Sequence, residues 1–405
     1  MSEAVVDIID MGRRGEGIAR LDGQIIFVAG GLPGETVRVA IAGDRSQVVE
    51  LLNPSPARVA AFCPHYGDCG GCQLQHWQEQ SYRRWKTGLV EQAFAARGIA
   101  VRVGDLIDAH GAGRRRVSIH VRRKESRVSA GFMAARSHRL LDLDRCPVLV
   151  PELASAFDLA RSLGALLGDC DVAVTATRVG PDASVKAERK LAEPAKPRLA
   201  GLTQELGLAR LSVNGEVIAA PVPPLVAMGR ALVPIPPGSF LQATVAGEES
   251  LARLVLSGLG KSKAVADLFC GCGPFALRIA ERARVWALDS DRPAITAVAA
   301  AVRATPGLKP VAAEVRDLFR APLVPGELKG FDAVVFDPPR AGAEAQARQL
   351  ARSQVGLVVA VSCDPASLAR DAELLIAGGY TLQSLTAVDQ FKWTSHIETV
   401  AVFRK

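Results

Sequence analysis

The sequence predicts an α/β fold: a doubly wound, mostly parallel sheet in the C-terminal part, preceded by a small β-barrel and a β-rich central region. Two observations carry this reading. From Lys263 onward, short apolar β runs alternate with helical stretches, the pattern of β-α units that stack into one sheet. Residues 3–53 break instead into brief β-prone runs separated by glycine turns, which is how small all-β barrels read.

The elements follow in order. The runs AVVDIID, GQIIFVA, ETVRVAI and SQVVELL are punctuated at Gly15, Gly17, Asp22-Gly23, Gly30-Gly31 and Gly43, and Pro54 and Pro56 end the segment. Residues 1–57 are therefore expected to form an OB-like barrel, with Arg13, Arg14, Arg20 and Arg38 in or near its loops offering a surface to an oligonucleotide. Residues 58–235 form a second, irregular region. It opens on Cys63, Cys69 and Cys72, continues with a polar helical pattern near 76–98, and holds strand-like RRRVSIHVRR and RVSAGFMA. KAERKLAEPAKPRLAG reads as loop plus a short helix. In residues 236–405, strands are expected at 264–270, 284–289, 310–315, 331–337, 355–362, 380–389 and 397–403. Helices are expected at 275–282, 292–304, 343–352 and 365–377.

Composition bounds the function. With 49% hydrophobic and 22% charged residues, the 405-residue chain can bury real cores and is no disordered polymer. No apolar run reaches the ~18 residues of a membrane span, and the N-terminus lacks a secretory pattern, so a cytoplasmic protein is expected, with no membrane partner and a monomer as the default state. Eight cysteines there read as metal, catalytic or buried thiols rather than a disulfide framework. Net charge is +7, and nine Lys/Arg between Arg114 and Arg139 face a single acid, Glu125. Arg114, Arg115, Arg116, Arg122, Arg123 and Lys124 accordingly read either as a solvated strand face or as contacts to the phosphates of a polyanion.

The chemistry gathers at the strand ends. In Asp267-Leu-Phe269-Cys-Gly271-Cys-Gly273-Pro274-Phe the glycines follow a strand and precede a helix, so backbone can approach a ligand closely. Asp289 ends the next strand, where a carboxylate holds ribose hydroxyls, and Asp317 follows the third, within reach of an adenine amino group. A phosphate fingerprint would need G-x-G-x-x-G; the phosphate-free S-adenosylmethionine fits this loop better. Asp337-Pro338-Pro339 holds a carboxylate in fixed orientation. Cys363 precedes a helix whose N-cap reads as Asp364 and whose N1 reads as Pro365, a setting that favours thiolate and suggests covalent catalysis. Cys63, Cys69, Cys72 and the distant Cys146 make four thiolates for zinc or an iron–sulfur cluster. The prolines and Gly-Gly among them leave room that favours [4Fe-4S] in a structural role.

Taken together, the four cysteines, FLQ at 240–242, DLFCGCG, FDPPRAG, SCDP and HIETV at 396–400 resemble the iron–sulfur RNA uridine-5-methyltransferases, chiefly those acting on 23S ribosomal RNA, and the N-terminal barrel resembles a TRAM domain. The resemblance implies a Rossmann-like methyltransferase domain and addition of the Cys363 thiolate to uracil C6. Methyl transfer from S-adenosylmethionine to C5 then follows, with removal of the C5 proton by Glu398. It also implies that Phe240, Gln242 and Asp337 lie near cofactor and base, and that Phe269, Asp289 and Asp317 line the cofactor pocket. Pro274 stands where close members carry Asn, leaving only backbone to contact the cofactor there. Transfer RNA is the alternative substrate. An amino-methyltransferase using Asp337-Pro-Pro has no use for Cys363 and wants an aromatic residue where Arg340 stands. A non-catalytic iron–sulfur RNA-binding or redox protein is the other class, and it has no use for the cofactor pocket.

Overall fold

The computed structural model describes residues 2–191 and 193–405, so Ala192, within the expected 186–201 loop, lies outside the described residues. The chain forms two compact units. One comprises residues up to Leu89 with Phe132–Leu141 and Phe391–His396; the other comprises Val90–Gly131, Asp142–Gln390 and Ile397–Lys405.

The first unit opens with β1 (Ser2–Met11), β2 (Gly17–Leu21), β3 (Gln24–Ala29), β4 (Thr36–Ala42) and β5 (Arg45–Asn53). They close into a barrel in the order β1-β2-β3-β5-β4. The four expected runs are all strands, and GIARL adds a fifth. Alternation sends Val6, Ile8, Val28, Val37 and Val39 inward as a small core. Gly17 is required by a close approach, since a Cβ there would lie 2.9 Å from the Gly31 carbonyl oxygen. Glu35, buried, accepts from Leu32 N–H and from the Arg58 guanidinium (2.6 Å), tying the post-barrel segment to the barrel. Helix α1 (Glu79–Ala95) follows. On it, the fully buried Lys86 donates from Nζ to the carbonyls of Phe391 and His396, and the Tyr82 hydroxyl accepts from Trp393 N–H (2.9 Å). This anchors the 391–396 loop within the same unit.

The chain continues with β6 (Ile107–Asp108), β7 (Arg116–Lys124), β8 (Arg127–Met133), β9 (Leu140–Asp142), α2 (Ala156–Leu167), β10 (Cys170–Thr177), β11 (Gly180–Ala187), α3 (Ala195–Glu205), β12 (Arg210–Val213) and β13 (Glu216–Ala219), all in the second unit except the last two residues of β8 and the first two of β9. Strands β13-β12-β11-β10-β7-β8-β9 form one seven-stranded sheet, and β14 (Leu225–Met228) pairs with β15 (Ala231–Pro234). Helix α2 was not expected from the sequence; Phe157, Leu159, Ala160 and Leu163 make its buried stripe.

The remaining elements are α4 (Val245–Leu259), β16 (Ala264–Leu268), α5 (Ala276–Ile279), β17 (Arg284–Asp289), α6 (Arg292–Ala304), β18 (Val311–Val315), β19 (Ala333–Phe336), α7 (Glu344–Ala351), β20 (Leu357–Ser362), α8 (Pro365–Ala377), β21 (Thr381–Asp389) and β22 (Glu398–Arg404). Their sheet runs β18-β17-β16-β19-β20-β22-β21-β6, the expected doubly wound arrangement. Strands β18 to β20 are parallel, whereas β22 is inserted antiparallel between β20 and β21. Apolar layers cover both faces of this sheet. Helix α5 is a single turn rather than the longer helix expected at 275–282, and α4 was not expected from the sequence. Among the described residues, no helix is long and apolar enough to cross a membrane.

Candidate active site

Parallel register brings the strand-end residues to one edge. Leu268 pairs with Leu288 and Phe336, and Phe336 with Ala360, so the residues just beyond β16, β17, β19 and β20 share a rim. The antiparallel β22 adds a fifth member. Ser362 pairs with Thr399, and one further step in that register sets Cys363 abreast of Glu398.

Around the glycine loop, Phe269, Gly271 and Gly273 all adopt positive φ (58°, 50° and 88°). For Phe269 this is a strained conformation, and it turns the ring to within 5.3 Å of the half-exposed Phe319 ring. Asp289 Oδ2 accepts from Gly271 N–H (2.8 Å) and Oδ1 from Asp291 N–H (2.8 Å), so its carboxylate is held at the strand end with acceptor capacity to spare. Asp317 Oδ1 caps its own turn, accepting from Phe319 and Arg320 N–H. The sequence reading passed over Asp267. It is fully buried and neither carboxylate oxygen has a hydrogen-bond partner. Burial pushes its pKa up to about 8, with the Asp289 charge adding to the rise. Its unmet carboxyl oxygens lie in β16, just ahead of the glycine loop, where a polar ligand such as S-adenosylmethionine could meet them. Cys270 and Cys272 are buried loop thiols, and burial pushes both up, Cys272 to about 11.

On the other side of the rim, Asp337 Oδ2 accepts from Gln242 Nε2 (3.1 Å). Burial and the nearby charges of Glu398 and Asp267 hold the Asp337 carboxyl well above the usual carboxylate range, against the Gln242 hydrogen bond. The end of β20 has the expected cap: Asp364 Oδ1 accepts from Ser367 N–H (2.9 Å), and Pro365 opens α8. The thiol nonetheless departs from expectation. Burial, Glu398 and Asp337 push Cys363 up to about 12, and Arg340 opposes them too weakly. Desolvation and two carboxylates outweigh a helix N-terminus, which is worth ~1 kcal/mol.

The basic run divides. Arg115 is interior: Nε donates to Gln242 O (3.0 Å) and Nη2 to Glu248 Oε2 (2.5 Å), so the expected phosphate contact is corrected to a structural one. Glu248 Oε1 in turn accepts from Arg278 (3.0 Å), whose Nη1 reaches the Pro274 carbonyl (2.7 Å). Arg116 is half-buried, donates to Leu241 O and lies 5.3 Å over the Phe240 ring, which is 68% exposed. Arg123 donates to Ala165 O and Arg122 to Val121 O, while Lys124 is exposed; Arg114 is half-buried. Cys63, Cys69, Cys72 and Cys146 are half-buried thiols. Among the described residues, no three His, Cys, Asp or Glu side chains are arranged to hold a metal ion, so the structure presents no assembled cluster site.

Residues 235–405 match the family described as tRNA (Uracil-5-)-methyltransferase, and residues 2–50 match the TRAM domain. An uncharacterized RNA methyltransferase of Brucella suis biovar 1 (strain 1330) is 48% identical over 99% of this chain and 97% of its own length. The 23S rRNA (uracil(1939)-C(5))-methyltransferase RlmD of Halomonas elongata is 36% identical over 95% of this chain and 86% of its own. Among solved structures, the Pyrococcus abyssi tRNA (uracil-54, C5)-methyltransferase in complex with S-adenosyl-L-homocysteine shares the fold, with a TM-score of 0.77 at 23% identity over 98% of this chain and 99% of its own. The chain belongs to the S-adenosylmethionine-dependent uracil-5 RNA methyltransferases.

Proposed function

We propose that this enzyme methylates C5 of one uridine in 23S ribosomal RNA, in the cytoplasm, with Cys363 as nucleophile and Glu398 as base. The observation that carries the reading is the β20–β22 register, which sets the two side by side at the cofactor edge. Uracil C5 is too poor a nucleophile to react unaided. Cys363 Sγ forms a bond to C6, its proton leaving to a neighbouring acceptor, and the displaced π electrons make C5 an enolate carbon. S-adenosylmethionine supplies the electrophilic methyl group. Glu398 then takes the C5 proton, the C5–C6 double bond reforms and the S–C6 bond breaks with its electron pair on sulfur, freeing the thiolate, which recovers its proton from the acceptor that took it. Burial and the two neighbouring carboxylates push the Cys363 thiol up to about 12, so its attack on C6 requires that its proton be taken as the bond forms.

In this reading Gly271, Gly273 and Pro274 offer backbone to the cofactor, Asp289 its ribose contact, and Phe269 and Asp317 the adenine surroundings. Gln242 and Asp337 stand between cofactor and uracil. Phe240, exposed and backed by Arg116, offers a stacking face to a flipped base. Arg114, Arg122, Arg123 and Lys124, with the barrel, hold flanking RNA. A [4Fe-4S] cluster on Cys63, Cys69, Cys72 and Cys146 belongs to the proposal on ligand type and spacing alone; visible absorption and iron content of anaerobically purified protein test it.

Ribosomal RNA rests on the 36% identical relative, and the family description keeps transfer RNA as the second substrate. Mass-spectrometric mapping of 5-methyluridine in both RNAs, with and without the gene, decides. Loss of one ribosomal site supports the proposal; loss from transfer RNA alone overturns the substrate; no loss overturns the function.

A further inference from the structure

The Gln390 side chain follows β21 and is fully buried, with both its amide nitrogen and its oxygen engaged. Its Oε1 accepts from the backbone N–H of Ala243 (2.8 Å). Its Nε2 donates to Gln242 Oε1 (2.5 Å) and to Glu398 Oε1 (3.0 Å). Gln242 Nε2 then donates to Asp337 Oδ2. A backbone N–H can meet only an acceptor, so Ala243 fixes which way the Gln390 amide points, and Gln390 in turn fixes Gln242. Each of the two carboxylates thereby receives one N–H. Gly247 leaves the room this needs: a Cβ there would lie 2.6 Å from Gln390 Oε1 and 2.8 Å from Gln390 Cβ.

We infer that Gln390 is a positioning residue for C5 deprotonation, holding the Glu398 carboxylate at the reacting edge and coupling it through Gln242 to Asp337. The inference rests on the proposed base role of Glu398. Donation from Gln390 favours the ionised carboxylate, the form able to accept the proton, and restricts its rotation. The Asp337–Gln242–Gln390–Glu398 chain thus lets the group beside the cofactor and the group beside C5 be set together.

The test uses ribosomal RNA from cells lacking the gene and S-adenosylmethionine labelled in the methyl group. Labelled methyl is followed into covalent protein–RNA adduct on denaturing gels and into free methylated RNA. Gln390→Met keeps the volume and removes both donors; Gln390→Glu keeps the Ala243 contact and sets an oxygen against Glu398. For Gln390→Met, adduct formation persists while its resolution slows ~10- to 100-fold, so methylated adduct accumulates. In both variants the acid limb of kcat moves to higher pH, because the Glu398 carboxylate loses a donor or gains a like charge. A general structural defect would instead lower formation and resolution together without moving the limb. That outcome, or wild-type resolution in either variant, overturns the inference while leaving the catalytic proposal standing. Methylation surviving in Cys363→Ala, or no adduct in any enzyme, overturns both.

Discussion

Arg115 and Glu248 form an ion pair closed off from solvent, with side chains 5% and 3% exposed. Glu248 also takes Arg278, so one carboxylate holds two guanidinium groups, one bound to the Gln242 carbonyl and the other to the Pro274 carbonyl. The pair therefore joins the two backbone stretches that flank the cofactor edge. Glu248→Ala leaves the buried Arg115 without its carboxylate, whereas Arg278 keeps Glu249 (2.8 Å), and the change is expected to destabilise the protein by ~3–5 kcal/mol. Chemical denaturation measures it; a loss below ~1 kcal/mol would show the pair to be dispensable.

Cys363 should alkylate slowly. With its pKa pushed to about 12, the fraction present as thiolate rises about tenfold per pH unit throughout the neutral and mildly alkaline range. Iodoacetamide labelling of this residue, read by peptide mass spectrometry between pH 7 and 9 in enzyme free of RNA, should climb without levelling. A plateau by pH 7 would mean that the helix N-terminus governs the thiol after all.

Asp267 should make stability fall with pH in the cofactor-free protein. An unfolded aspartate releases its proton near ~4, whereas the folded one keeps it to about 8. Between those values the folded state binds more protons than the unfolded state, so stability declines as pH rises and levels off above about 8. Asp267→Asn removes that slope, up to ~1.4 kcal/mol per pH unit. Thermal melts at pH 5, 6, 7 and 8 should therefore converge or cross in favour of the variant; parallel curves would contradict the assignment.

The buried Lys86 holds two carbonyls of the loop that joins β21 to β22. Lys86→Met keeps the bulk but leaves those carbonyls without their ammonium donor, at an expected cost of ~1–3 kcal/mol. Hydrogen exchange at 391–396 should quicken more than in the barrel strands, whereas uniform quickening would point to global unfolding.

The chain spelled out its local devices and hid its tertiary ones. Helices α6 and α8 begin where Asp291 and Asp364 cap them and Pro293 and Pro365 follow, which is sequence-local chemistry. The glycine loop and the strand-end acids were equally legible. Glu398 was named only through the resemblance of HIETV, and its place beside Cys363 was not readable, because a period-two pattern says nothing about whether a strand is inserted parallel or antiparallel, and Glu398 reaches the site through the reversed β22. The thiol's acidity was misjudged for the same reason: the cap is local, while the carboxylates that oppose it come from other strands. Arg115 looked like a phosphate ligand because composition counts charges and cannot see Glu248 waiting 133 residues downstream. Gln390, one amide after an apolar strand, carried no signal at all.

The path of the chain through Phe391–His396 bears on biosynthesis. Those residues belong to the same compact unit as the barrel and the start of α1, yet His396 is synthesised 310 residues after the lysine that holds it. The barrel segment therefore cannot complete its own packing until residues 391–396 have been translated. A nascent chain stalled before Phe391 would expose α1 with Lys86 and Tyr82 unmatched. Only synthesis through His396 closes that gap, so the connection that completes this unit is also the one that leads into the strand bearing Glu398.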